Sequence, residues 1–191
     1  MRVGELFEAL KMRALPESGY GQLLDFLKLF RDAAQLVLNE LWNRGKFLSR
    51  SSLHRLFYGE LRKLGFRAHH AKQIYSYALA LYKSARRNSG SKSVLKRLAA
   101  RLDKYDYKLD LKSKILVLKL HNGYEARLKL LASDERIEKY LDWSSYELAV
   151  KYDGESLWVS IYFRKGVALR EAKTVMTIDS NFDNVTLCGV L

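Results

Sequence analysis

The chain has 191 residues, of which 48% are hydrophobic and 29% are charged, and this composition is typical of a globular protein with a core of its own. No apolar run approaches the roughly 20 residues that a membrane-spanning helix needs, and the first residues lack the pattern of a signal peptide. The single cysteine excludes an internal disulfide and a thiolate zinc cluster. We therefore expect a cytoplasmic protein.

The net charge of +13 is concentrated in one segment. Residues 1–43 contain five Lys or Arg and six Asp or Glu, and residues 102–191 contain fourteen of each. Residues 44–101 contain fifteen Lys or Arg and a single acid, Glu60, which gives this segment a charge of +14. Such an asymmetry is typical of proteins that bind a polyanion. We favour a nucleic-acid-binding surface over a solvated basic face, because solvated faces usually mix both signs.

Up to about residue 104 the apolar residues follow a helical period. Residues 21–43 place apolar side chains three or four positions apart and predict one long amphipathic helix. A second helix is expected from a cap at Ser51 or Ser52 to Gly65, a third over residues 68–88 and a fourth over residues 93–102. Basic residues fall largely between the apolar positions of these later helices, so we expect them to face outward.

After residue 104 the pattern alternates as it does in strands. Residues 115–120 and 125–131 flank Asn122-Gly123, a strong hairpin signal because both turn positions need positive φ. Ser133-Asp134-Glu135-Arg136 resembles a capped helix N-terminus and predicts a short helix to about Leu141. A second hairpin is expected to pair residues 146–152 with 156–164, and a third to pair 173–179 with 185–190.

Several hairpins at short spacing predict an antiparallel, barrel-like sheet. The predicted fold class is therefore α+β, with a helical bundle inserted into or preceding a β-barrel and with a terminal β-hairpin. We expect residues 1–18 to belong to the barrel domain, 19–102 to form the basic helical domain, 103–172 to complete the barrel, and 173–191 to begin another structure.

The candidate nucleic-acid contacts are the basic residues of the central segment. They are Arg44, Lys46, Arg50, Arg55, Arg62, Lys63, Arg67, Lys72, Lys83, Arg86, Arg87, Lys92, Lys96, Arg97 and Arg101. Tyr58 and Tyr77 lie among these cations and are candidates for base stacking. Tyr75 and Tyr82 fall on the apolar face of the third helix, so we expect them in the core.

Two further features of the sequence bear on metal binding. Adjacent histidines on a helix point about 100° apart and do not easily share an ion, so His69 and His70 are expected on the basic face. The alternating oxygen side chains from Asp179 do not fit a calcium loop, which needs Gly and Glu where this chain has Asn184 and Val190. Asp179 itself interrupts an apolar run, and either a turn acid or a metal-ligand acid would account for it.

Taken in order, three stretches resemble the N-terminal half of the TnpB (OrfB) proteins, transposon-encoded relatives of the compact CRISPR effectors that carry a RuvC nuclease. The stretches are LDKYDYKLDLKSKILVLKLHNGYEARLKL, YELAVKYDGESLWVSIYFRK and TVMTIDSNFDNVTL. The resemblance covers most of residues 20–191. It implies a recognition-like helical insert that contacts guide RNA and the guide–target duplex, a wedge-like barrel that holds the RNA, and the start of an RNase H-like RuvC domain.

The resemblance makes Asp179 the first RuvC-type catalytic aspartate of an incomplete site. Ile178-Asp179 fits the family pattern, whereas Ser180-Asn181 departs from the usual hydrophobic residue and glycine. The family supplies its other carboxylates, and a zinc ribbon, beyond this first strand. In the complete family enzyme Mg²⁺ is held by several carboxylates. Asp179 could be a single ligand, and we expect no cofactor to be bound and no cleavage by this chain alone.

The resemblance implies binding of guide RNA and target DNA by the N-terminal half of a TnpB-like protein, truncated just after the first RuvC strand. The protein would be prokaryotic, cytoplasmic and nucleoid-associated. Two alternatives stay open: a nuclease completed by a second polypeptide, and a stand-alone nucleic-acid-binding or regulatory transposon remnant. The hairpin of residues 173–191 would be disordered, fold back, or pair in a homodimer.

Overall fold

The computed structural model describes residues 3–88 and 90–168, and the backbone of residues 175–180 and 185–190. The chain divides into two compact units, Phe7–Arg164 and Met1–Leu6 with Lys165–Leu191. The described helices are α1 (Tyr20–Arg44), α2 (Arg50–Lys63), α3 (Ala68–Arg87) and α4 (Asp134–Glu138). The described strands are β1 (Val3–Ser18), β2 (Leu98–Asp103), β3 (Tyr107–Asp110), β4 (Ile115–Lys119), β5 (Glu125–Leu131), β6 (Ser144–Tyr152), β7 (Leu157–Ala168), β8 (Val175–Ser180) and β9 (Val185–Val190).

Seven strands form one curled antiparallel sheet in the order β2-β6-β7-β1-β5-β4-β3. The three long helices lie between β1 and β2 in the sequence, and both of these strands belong to the sheet. The α+β prediction is thus confirmed. The helical segment is inserted between two strands of one sheet, so β1 and the strands after the helices form a common layer.

The helix α1 is flanked by two glycines that adopt left-handed backbone angles. Gly19 has a φ of 71° between β1 and α1, and Gly45 has a φ of 63° and donates its N–H to the Trp42 carbonyl at 3.1 Å. Between them the predicted amphipathic helix is confirmed. Its buried stripe consists of Leu23, Phe26, Leu27, Phe30, Ala33, Ala34, Val37, Leu38 and Leu41.

The second and third helices also form near the predicted positions. Ser49, rather than Ser51 or Ser52, caps α2, because its Oγ accepts a hydrogen bond from the Ser52 N–H at 3.1 Å. On α3, Tyr75 and Tyr82 are buried, as the apolar period of this helix predicted.

The helices and the sheet share one hydrophobic core. The Phe26 ring of α1 lies 6.0 Å from the Phe66 ring before α3, and 6.0 Å from the His121 ring between β4 and β5. The sheet contributes alternating buried residues, as in β5, where Ala126, Leu128 and Leu130 are buried. The helical insert is therefore held against the sheet by a continuous apolar contact.

The predicted fourth helix over residues 93–102 is wrong. Residues 90–97 have no helix, and Leu98–Asp103 form β2, which pairs with β6 from Leu98 opposite Tyr152 to Asp103 opposite Glu147. The local sequence has good helix formers, but pairing with β6 buries Ala100 and Leu102 while Arg101 stays exposed. Tertiary contacts at the edge of the sheet therefore override the local propensity.

The three predicted hairpins form. In the connection between β4 and β5, Asn122 and Gly123 both have positive φ, at 52° and 79°, and the Leu120 N–H donates to the Tyr124 carbonyl at 2.7 Å. Strands β6 and β7 pair antiparallel, and so do β8 and β9. In the last pair Asp179 lies opposite Thr186, one residue before the end of β8.

Candidate nucleic-acid interface

The basic residues of the segment 44–101 are almost all on the surface. Fourteen of the fifteen are exposed, and Arg67 is half-buried. The apolar faces of α1, α2 and α3 pack against one another and against the sheet, which leaves the positions between them to the solvent. This confirms that the Arg and Lys side chains of α2 and α3 face outward.

Most of these cations have no carboxylate partner. Four of the fifteen form an ion pair: Arg44 with Glu40, Lys63 with Glu60, Arg67 with Asp106 and Arg101 with Glu147. The other eleven form no ion pair with any residue that the structure describes. Uncompensated exposed charges of one sign repel one another, and they are the groups a polyanion would neutralise.

One concentration of charge lies at the C-terminal end of α3. Lys83, Ser84 and Arg87 line an open groove of about 440 Å³ together with Ala80 and Asn88. Small residues in the groove and long cations at its sides would let a phosphate approach the helix surface. On the same turn the Arg86 guanidinium lies 5.9 Å from the centre of the Trp42 ring, a cation–π contact that directs its side chain.

A second concentration of charge lies on the segment that follows α3. The side chain of Gln35 in α1 accepts a hydrogen bond from the Leu95 N–H at 2.7 Å and donates one to the Ser93 carbonyl at 3.3 Å. These two bonds attach the segment to α1 just before the exposed pair Lys96 and Arg97. Hydrogen bonds to α1 therefore hold the backbone just before Lys96 and Arg97 in place.

Lys96 and Arg97 line two neighbouring pockets. The first pocket, of about 300 Å³, is also lined by Tyr77 of α3 and Arg31 of α1. The second pocket, of about 350 Å³, is also lined by Tyr152 at the end of β6. Local sequence patterns predict Tyr77, Lys96 and Arg97 as site residues but not Tyr152. This residue lies 55 residues or more along the chain and reaches the site only because β2 pairs with β6.

The two candidate stacking tyrosines have different surroundings. Tyr58 is half-buried and its ring lies 4.4 Å from the His54 ring one turn earlier in α2. Tyr77 is half-buried, packs against the core with its ring 6.3 Å from Phe30, and lines the first pocket. Tyr77 therefore combines a ring supported by the core with an adjacent pocket, whereas the Tyr58 ring packs on His54 and does not line that pocket.

His70 and Asp106 form a buried polar pair, which the half-buried Arg67 contacts, and the sequence did not reveal it. The Arg67 Nε donates to Asp106 Oδ1 at 3.0 Å, and His70 Nε2 lies 3.5 Å from Asp106 Oδ2. His70 and Asp106 are fully buried, so the expectation that His70 lies on the basic face is wrong. His69 is half-buried and hydrogen-bonds Asp103. The partners are more than thirty residues apart, and no local spacing could have paired them.

Burial sets the protonation of this pair. It lowers the pKa of His70 to about 3, and the Arg67 charge acts in the same direction. Burial raises the pKa of Asp106 to about 6, and the neighbouring Asp103 charge adds to this effect. At neutral pH the histidine is therefore uncharged, and the carboxylate takes Arg67 as its charged partner. The Arg67 guanidinium is therefore engaged in an ion pair that links the start of α3 to the sheet.

The candidate catalytic residue Asp179 lies in β8, within the smaller unit. Asp183 lies outside the described residues. Among the residues that the structure describes, no group of three or more His, Cys, Asp or Glu could hold a metal ion.

Comparison of the chain with protein-family models and with curated proteins gives no match. None of the helices in the described part of the chain is long and apolar enough to cross a membrane.

Proposed function

We propose that the protein binds RNA and DNA through the basic surface of residues 44–101, as the part of a TnpB-like RNA-guided nuclease that recognises guide RNA and target. The observation that carries the proposal is the set of eleven exposed cations for which the described residues supply no carboxylate. Exposed cations of this kind release the counterions of a phosphate backbone when they bind it, and this release drives association.

In this proposal the inserted helices α1–α3 correspond to the recognition insert, and the curled sheet corresponds to the wedge-like barrel. The hairpin of β8 and β9 corresponds to the first strands of an RNase H-like domain, and it is also the candidate surface for a homodimer. Asp179 would be the first catalytic carboxylate. A single carboxylate does not fit the Mg²⁺ site of the complete family enzyme, which needs several, so we derive no cleavage step for this chain.

The mechanism of binding that follows is electrostatic and largely independent of sequence. The cations of α2, α3 and the segment after α3 would contact phosphates, and such contacts position a nucleic acid without reading its bases. Each phosphate neutralised steepens the fall of log affinity with log salt by about 0.9 for duplex DNA and by about 0.7 for single strands.

The proposal is tested by reversing four exposed cations, Arg86, Arg87, Lys96 and Arg97, to Glu. We expect this variant to lose binding to RNA and DNA and to keep its fold, because none of the four forms an ion pair with a described residue. The control reverses an equal number of exposed lysines outside the segment and has the same net charge. Its positions are Lys104, Lys108, Lys112 and Lys129.

Binding would be measured by fluorescence anisotropy over a range of salt concentrations, with circular dichroism to check folding. The proposal predicts a shallower salt dependence and a large loss of affinity for the first variant only. It is overturned if that variant binds as tightly as the parent. It is also overturned if the control variant loses as much affinity, since net charge alone would then explain binding.

A further inference from the structure

The two pockets beside Lys96 and Arg97 have the composition of base-binding sites. The first, of about 300 Å³, has the Tyr77 ring together with the apolar side chains of Val94, Leu95 and Ala99. This volume is at the lower end of the roughly 300–1,000 Å³ of pockets that hold small organic ligands. The ring and the apolar side chains suit the flat face of a base, and the cations Arg31, Lys96 and Arg97 at the same pocket suit the phosphate next to it.

The second pocket, of about 350 Å³, also has an aromatic ring, that of Tyr152, but its surround is more polar, with Leu98 beside Lys96, Arg97 and Lys151. Its wall includes Asp153, whose carboxylate accepts hydrogen bonds from the Glu155 and Ser156 N–H groups and from Trp158 Nε1. These bonds, the backbone ones first, lower the pKa of Asp153 to about 2 and keep it ionised. The three cations Lys96, Arg97 and Lys151 outnumber this carboxylate, so a phosphate is held on the cations while a base lies against the Tyr152 ring.

Lys96 and Arg97 belong to both pockets. Both side chains are exposed, and neither forms an ion pair within the described ranges. The Gln35 hydrogen bonds fix the backbone immediately before them. The order across the surface is therefore ring, cations, ring, which is the alternation of base, phosphate and base along a single strand.

We propose that these pockets hold two successive bases of one unpaired nucleic-acid strand, one against Tyr77 and the other against Tyr152, with the intervening phosphate on Lys96 and Arg97. This rests on the proposed function and assigns to it a preference for single strands. Every base has a π-face, so stacking of this kind tolerates any sequence. A duplex keeps its bases stacked inside and would use the cations alone.

The test uses the full chain and an unstructured ten-nucleotide RNA, with a duplex of the same length for comparison. Tyr77→Leu removes the ring, Tyr77→Phe keeps it, and Tyr124→Leu removes an exposed ring that lines neither pocket. We expect Tyr77→Leu to weaken single-strand binding by about 5- to 150-fold, the range of one lost base–aromatic stack. Duplex affinity and the salt dependence should not change, and the other two variants should bind as the parent does.

A second measurement does not depend on how Tyr77→Leu folds. The same RNA carrying one 2-aminopurine should lose fluorescence when it binds the parent or Tyr77→Phe. It should lose less with Lys96→Ala/Arg97→Ala, whose two changes are on the surface. If the parent binds RNA but Tyr77→Leu, folded, binds single strands equally well, or if no quenching occurs, the pockets are not base sites and the proposed function stands. If the parent binds no nucleic acid, both proposals are overturned.

Discussion

Replacing Asp106 with Asn should make the protein more stable at neutral pH, although it removes an ion pair. Asp106 is fully buried, its Oδ1 accepts a hydrogen bond from Arg67 Nε at 3.0 Å, and its pKa is raised from 3.8 to about 6. The rise means that burial, with the nearby Asp103 charge, outweighs the attraction of Arg67 and His69. Ionised Asp106 therefore costs more in the folded protein than in the unfolded chain.

The sign and size follow from the linkage between protonation and folding. A group whose pKa is higher in the folded state contributes stability that is complete below the unfolded pKa and is lost as pH rises through the folded pKa. For Asp106 the window runs from pH 3.8 to about 6, and the shift corresponds to about 3 kcal/mol. Asn cannot ionise, so the Asp106→Asn variant should gain about 3 kcal/mol relative to the parent between pH 4 and pH 7.

His70 has the opposite effect, which is why the comparison with the parent matters. Its pKa is lowered from 6.5 to about 3, mainly by burial and then by the charges of Arg67 and His121, against Asp103. Stability from this group is present above pH 6.5 and is lost as pH falls toward 3. In the parent the two effects oppose each other over the shared window. Because both proteins keep His70, the difference between them reports Asp106 together with its 3.5 Å contact with His70 Nε2.

The assay is urea unfolding at half-unit steps from pH 4 to pH 7.5, with the free energy of unfolding compared at each pH. Asp153→Asn is the control, because its carboxyl has a pKa lowered to about 2 and its effect is confined to more acid conditions. If the difference in the free energy of unfolding between the parent and Asp106→Asn stays constant with pH, the pKa of Asp106 is not raised by folding and the prediction is wrong. If instead the free energy of unfolding of the parent increases relative to that of Asp106→Asn as pH rises, the Arg67 ion pair outweighs the cost of burial.

Three further predictions concern the backbone and the smaller unit. Gly19→Ala should lower the free energy of unfolding, measured in urea, by more than Gly45→Ala does. Both glycines have positive φ, which costs about 1–2 kcal/mol for alanine. Of the two, Gly19 alone would place a Cβ 2.3 Å from a backbone oxygen, that of Glu125. The purified chain should not cleave RNA or DNA with Mg²⁺ or Mn²⁺, and cleavage that Asp179→Ala abolishes would contradict this. The full chain should form dimers in light scattering and a version ending at Arg170 should not, because the two-stranded sheet β8–β9 is marginal alone; two monomers would contradict this.

The sequence alone determined the elements whose signal is local. The three- and four-residue spacing of α1 follows from one face being buried, and Asn122-Gly123 marks its turn because few other residue pairs adopt two positive φ angles. The α+β class and the outward direction of the Arg and Lys side chains followed from the same patterns. Each depends on residues within about one helical turn or one hairpin of each other.

Tertiary structure decided what depends on residues that are distant in the chain. Leu98–Asp103 became a strand because β6 offered backbone hydrogen bonds along an open edge, and this pairing brought Tyr152 beside Lys96 and Arg97. The Arg67–Asp106 pair joins residues 39 positions apart. A short window of sequence contains only one side of such a contact, and the free energy of burial that forms it exists only once both sides meet.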